Sequence, residues 1–289
     1  MRNQYYFLAA SLEDVSWGHG TTRGTLEDLI EYLNEGLAPE DAAALKQLFL
    51  FNDMRNAVSL NDPDSTFVTP SCYDREALLE AAQGDAAVLP FLLEYFEGAR
   101  RSAGDGEKSL PIDELSLLFY DRIDDISDPF VRDYFVRELN MRNLTIALSR
   151  ESQGFPYRER LVPRGDAYTA IMSGSPPDFG LSADYPFVED LIRVFRTTDL
   201  TAQEELIEKV RWQWLDDRVS SEFFSTDFIL SYVIKYQSVE RWQTLSEEKG
   251  DELFGELLNS LRRSVRFSLE FSDVGDKQND GRTSNRDQQ

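Results

Sequence analysis

Apolar positions recur along this chain at intervals of three and four, the spacing of one face of an α-helix, while strand-like alternation is sparse. Leu26, Leu29, Ile30 and Leu33 carry that spacing after Thr25, which can cap the helix with Asp28 reciprocating three residues on. Pro39 sits where a second helix can begin, and Glu40 and Asp41 suit the positive end of its dipole. Leu45, Leu48, Phe49 and Met54 continue an apolar face along that same helix. After a turn-rich connection from Ser59 to Pro70, helices are predicted at about 74–83 and 86–99. Arg101 to Ser109 is small and polar, a surface loop or boundary. Ile112 to Ile126 and Pro129 to Ser149 predict a helical hairpin broken at Ser127, Asp128 and Pro129.

Regularity is lowest over residues 151–185, which hold Pro156, Pro163, Pro176 and Pro177 and read as a long irregular connection. Helical patterning resumes at about 186–196, 201–218, 226–245 and 248–270. Asp273 to Gln289 has almost no apolar side chain and is expected to be disordered. Residues 4–12 fit a short strand or the first turns of a buried helix, which periodicity cannot separate at this length. The expected fold is all-α, with at most a short strand near residue 6. The expected division is 1–104 (N-terminal helical module), 105–185 (central hairpin plus irregular connection), 186–272 (C-terminal helical module) and 273–289 (tail).

Composition allows such a core: 41% of 289 residues are hydrophobic and 12% aromatic, enough for one large core or a few smaller ones. The formal net charge of -23 repels nucleic-acid phosphates and anionic lipid heads, so neither is an expected partner. It favours basic protein surfaces, or simply solubility. Cys72 is the only cysteine, which excludes an intramolecular disulfide. The opening apolar run is short for a secretory segment and soon meets Glu13 and Asp14, and no window approaches the ~18 apolar residues of a spanning helix. A cytoplasmic chain without direct membrane insertion is expected.

Little in the sequence points to catalysis. His19 is the only histidine, so two-histidine zinc sites are excluded, and no GxSxG elbow accompanies it. Gly104 to Ser109 imitates a phosphate-binding loop, but Glu107 stands where a glycine must precede Lys108. Asp178-Phe179-Gly180 spells a kinase tripeptide without the glycine-rich loop that would accompany it. The carboxylate pairs Asp124-Asp125 and Asp216-Asp217 read as solvated helix ends rather than metal or acid–base sites. No catalytic, cofactor-binding or metal-ligating residue is assigned.

Two features remain. Asp53-Met54-Arg55-Asn56 and Asn140-Met141-Arg142-Asn143 echo each other, in helices that open with Pro39 and Pro129. Asn is disfavoured inside helices, which points to a specific hydrogen-bonding role rather than a solvated face. The C-terminal region is dense in aromatics: Trp212, Trp214, Phe223, Phe224, Phe228, Tyr232, Tyr236 and Trp242. Phe228, Tyr232 and Tyr236 recur at helical spacing and read as core, while some of the others suit interface anchors.

Three stretches carry a resemblance: Tyr5 to Leu12, Glu138 through Arg150, and Arg211 to Asp216 followed by Phe228–Tyr236 and Val239-Glu240-Arg241-Trp242. On these the chain resembles a bacterial family of unknown biochemical function, encoded beside V-type ATPase operons that lack an ordinary C subunit. That family is similar in turn to the V-type ATPase C subunit (called d in eukaryotes). The resemblance implies related helical modules arranged as a funnel, seated on the cytoplasmic face of the rotor ring and receiving the central shaft. It implies a non-catalytic coupling component, peripheral to the inner membrane through protein partners, with no cofactor. The Asx-x-x-Asn echo is like the helical repeat signature of the C subunit, although a third copy is not evident. The family-signature or partner-contact candidates are Tyr5, Tyr6, Asp53, Asn56, Asn140, Arg142, Asn143, Arg150, Trp212, Trp214, Arg241 and Trp242. A helical adaptor or assembly factor is the alternative.

Overall fold

A short polar side chain just ahead of an apolar run caps several of the helices, through Thr25, Asp74, Asp128, Asp199 and Ser225. The computed structural model describes residues 4–17, 22–84, 87–104 and 112–247. Helix α1 (Tyr6–Ser11) is the helical alternative at the N-terminus, but it is not the buried helix expected, since only Leu8 of it is buried. The only pairing beside it among the described residues is an isolated antiparallel bridge from Gln4 to Ser225. Helix α2 (Leu26–Gly36) opens on the predicted capping box: Asp28 N–H donates to the Thr25 hydroxyl at 3.2 Å, and Thr25 N–H donates to the Asp28 carboxylate at 2.9 Å.

The helix expected to run from Pro39 through Met54 is instead two, α3 (Pro39–Gln47) and α4 (Leu50–Val58). Leu48, Phe49 and Leu50 are all buried, and three consecutive side chains cannot share one helical face. The chain therefore turns at Leu48–Phe49 through tight three-residue hydrogen bonds, to Leu45 and Lys46 carbonyls.

Helices α5 (Arg75–Gln83) and α6 (Pro90–Gly104) follow, α5 capped by the Asp74 carboxylate on Ala77 N–H. Then come α7 (Ile112–Asp121) and α8 (Pro129–Ser152), the longest helix among the described residues, with Asp128 at its cap and Pro129 in its first turn. Within the stretch read as irregular lies α9 (Asp166–Ser173), which packs on α8. Helices α10 (Phe187–Phe195), α11 (Leu200–Val219, capped by Asp199) and α12 (Thr226–Glu247) complete the described residues. No strand occurs among them, and the fold is all-α.

Among the described residues two apolar clusters form the core. The first joins α1 to α7 with the start of α8, the end of α11, and α12; Phe91, Phe119, Phe130 and Phe135 sit at its centre. The second joins the latter half of α8 to α9, α10 and the earlier half of α11 through Leu144, Ala147, Ile171, Val188 and Leu191. Helix α8 threads both, burying Phe130 to Leu139 in one and Met141 to Leu148 in the other, which is why its apolar residues occupy nearly every face. Residues 1–242 form one compact unit. The second unit is Gln243–Gln289, of which the described part is the end of α12. The predicted 248–270 helix, the 273–289 tail, His19 and the residues after Gly104 of the phosphate-loop imitation lie outside the described residues.

Candidate functional site

The sequence echo is a repeated piece of geometry. Asn56 is buried, donates from Nδ2 to the Val68 carbonyl at 3.0 Å, and accepts Val68 N–H on Oδ1 at 2.7 Å. Asn143 is buried and makes the same two bonds to Val162, at 3.0 and 2.9 Å. Each carboxamide thus satisfies both backbone groups of one loop residue, as a neighbouring strand would. Asn alone among short side chains presents a donor and an acceptor side by side.

Three residues earlier, each helix offers a second acceptor to the amide five residues past that valine. Asp53 accepts Tyr73 N–H on Oδ1 and Cys72 N–H on Oδ2, both at 3.0 Å, just ahead of α5. Asn140 accepts Ala167 N–H on Oδ1 at 3.1 Å, in the first turn of α9. The clamped valine lies 12 residues after Asn56 but 19 after Asn143, so the intervening loops differ while the clamps match. Helix α12 holds the start of α2 in a related way: the Glu240 carboxylate accepts Leu26 N–H at 2.8 Å. Gln243 follows Glu240 at the same three-residue interval.

The environments are not identical. Asp53 is fully buried, and burial pushes its carboxyl up to about 6 despite the amides of Tyr73 and Cys72 that favour the charged form. Burial, with Asp53 beside it, raises the Cys72 thiol to about 12. At the second clamp Gly165 is required twice over. Its φ is +89°, and a Cβ there would stand 2.3 Å from Asn140 Oδ1. The Arg between the two Asx positions differs too: Arg55 is exposed, whereas Arg142 is half-buried near Tyr120. Arg150 closes the end of α8, donating to the Pro156 carbonyl with its guanidinium 5.7 Å from the Phe155 ring.

A buried charge network ties α8, α11 and α12 together. Arg211 makes a two-pronged pair with Glu138, at 2.8 and 2.6 Å, and also meets Glu208. Glu208 is 1% exposed, pairs with Arg241 and accepts from Ser238 at 2.8 Å. Burial alone would raise its carboxyl, but Arg211 and Arg241 hold it below the usual range. Trp212 is buried, 5.9 Å from the Trp17 ring, and Trp242 meets Trp17 edge-on at 5.6 Å. Trp214 lies half-buried between Phe130 and the Arg137 guanidinium.

The N-terminal aromatics divide. Tyr5 is a fastener: its hydroxyl bonds Asp41, whose other oxygen accepts the Thr226 hydroxyl at 3.0 Å, and its N–H donates to the Phe224 carbonyl at 2.6 Å. Tyr6 points outward, 58% exposed, with its ring 4.6 Å from that of Phe224. Phe7 (80%), Phe223 (57%) and Phe224 (40%) are also exposed, which places four aromatic rings on the outer side of α1 and the α11–α12 turn. Nothing in the sequence pattern marks Phe7 as outward-facing. A signal does exist for Phe223-Phe224: an aromatic pair inside a Ser/Glu turn has no helical face to pack.

The family model described as "Protein of unknown function (DUF2764)" matches residues 1–265, and the chain belongs to that family. No curated protein and no solved structure matches it.

Proposed function

We propose that the chain is a non-catalytic component of a bacterial V-type ATPase, similar to its C subunit and coupling the central shaft to the membrane rotor ring. The observation that carries this reading is the pair of Asx-x-x-Asn clamps. They mark two helical modules built to one plan, the kind of repetition that the resemblance to the C subunit implies. The Glu138–Arg211–Glu208–Arg241 network, buried but for Arg241, ties three helices together and suits a component that transmits force. A surface with a net charge of -23, carrying four exposed aromatic rings, suits docking onto basic protein ends. No described helix is long and apolar enough to cross a membrane. In this reading the hold on the rotor ring therefore runs through protein partners.

The test is a tagged chain in its native host, membranes gently solubilised, and the stoichiometry of all copurifying proteins measured. One copy per ATPase, with rotor-ring and shaft proteins present, is the expected outcome. Recovery from cytosol without those proteins would overturn the proposal in favour of an adaptor.

A further inference from the structure

A cavity of about 340 Å³ opens between α8, α9, α10 and α11, within the range of small-molecule sites. Its floor is apolar, formed by Met141, Leu144, Leu181 and Val188. One wall is the Asn140–Ala167 contact of the second clamp, so the geometry that repeats in the fold also shapes this space.

Arg137 is the unusual group on its lining. Its guanidinium carbon lies 5.3 Å from the Trp214 ring centroid and 5.9 Å from that of Phe187. It makes one hydrogen bond, to the Val210 carbonyl at 2.9 Å, and no ion pair among the described residues. The acids nearby are engaged or remote: Glu138 is gripped by Arg211, and Asp217 is exposed on α11. The cavity's other cation, Arg218, is already paired with Asp133 at 3.2 Å and Asp227 at 3.7 Å. A guanidinium held between two rings, with donors to spare, is the natural seat of a carboxylate. The exposed Asp166 carboxylate also lines the cavity, with Asp133 held by Arg218, and disfavours a doubly charged phosphate more than a singly charged carboxylate. The ring-lined, apolar interior favours a body that is flat or aliphatic.

We propose that this cavity binds a small monocarboxylate carrying an apolar or aromatic body, its carboxylate on Arg137 and its body over Met141, Leu144 and Val188. The site is independent of any role in a rotary ATPase.

Calorimetric titration of the full chain with phenylacetate and hexanoate tests it, with phenylacetamide and inorganic phosphate as comparison probes. At least one carboxylate is expected to bind, with the amide and phosphate on the order of tenfold weaker or worse. Arg137→Gln is expected to lose a similar factor, while Arg193→Gln, on α10 and outside the cavity lining, leaves binding unchanged. The amide comparison needs no variant and so holds even if Arg137→Gln fails to fold. Equal binding of phenylacetate and phenylacetamide would overturn the proposal, as would full affinity in a folded Arg137→Gln chain. Absence of binding by either carboxylate at about 10 mM would also overturn it.

Discussion

At Asn143 one side chain satisfies both polar groups of Val162 in a place water does not reach. Truncation to Ala leaves the buried Val162 N–H unpaired, at about 1–3 kcal/mol before any relaxation, while the Val162 carbonyl keeps the Arg164 N–H at 2.7 Å. Asn143→Ala is therefore expected to cost about 1–3 kcal/mol in urea unfolding, and Arg55→Ala, on an exposed position of the first echo, close to nothing. Equal effects would mean that the clamp has no special weight. Asp53 adds a pH signature. Its folded-state pKa, about 6, lies above the ordinary carboxylate value of 3.8, so the folded state holds the proton more tightly. The associated stability is fully present below about 3.8 and is lost as pH rises through about 6. Against a non-titrating Asp53→Asn reference, the wild-type chain is thus expected to lose about 2 kcal/mol of relative stability between about pH 4 and pH 7. A flat difference across that range would refute the assignment.

Among the elements, α8, α11 and α12 are joined by charges rather than by apolar contact alone, and the cost of breaking that junction depends on which charge is removed. Glu208→Gln removes the fully buried charge that Arg211 and Arg241 share, leaving Arg211 with Glu138 alone, and is expected to cost about 2–3 kcal/mol by chemical denaturation. Arg241→Gln should cost about 1 kcal/mol or less, since that side chain is 38% exposed and partly solvated in either case. The reverse order would show that Arg241 and not Arg211 anchors Glu208. Most elements are legible in the sequence because their starts carry local chemistry: Thr25 with Asp28, Asp128 with Pro129, an apolar stripe after each. The break between α3 and α4 is not, because it depends on Leu48, Phe49 and Leu50 all finding tertiary partners. Helix α9 is hidden by the prolines around it, and its position is fixed by Asn140 and Asn143, far back in the chain. The Asx-x-x-Asn echo is visible in sequence, but the two valines it grips are not, since the loops leading to them differ in length. Nothing local marks Arg137, whose surroundings come from α10 and α11.

For the whole molecule, a partner-binding role needs surface that the fold itself does not use. Trp212, Tyr232 and Tyr236 are spent inside, so the aromatic density of the C-terminal region is mostly core. Tyr6, Phe7, Phe223 and Phe224 are different: they gather at α1 and the α11–α12 turn, and truncating them removes little internal packing. If a rotor or shaft protein docks there, these rings carry binding energy and almost no folding energy. Phe7→Ser combined with Phe223→Ser is expected to leave the urea midpoint nearly unchanged while losing two interface anchors of about 2 kcal/mol each, enough to cut copurification with the ATPase severely. Wild-type recovery of rotor and shaft proteins by the double variant would remove this surface from the interface and move the search to the acidic remainder. A collapse in stability would show that the rings serve the fold after all.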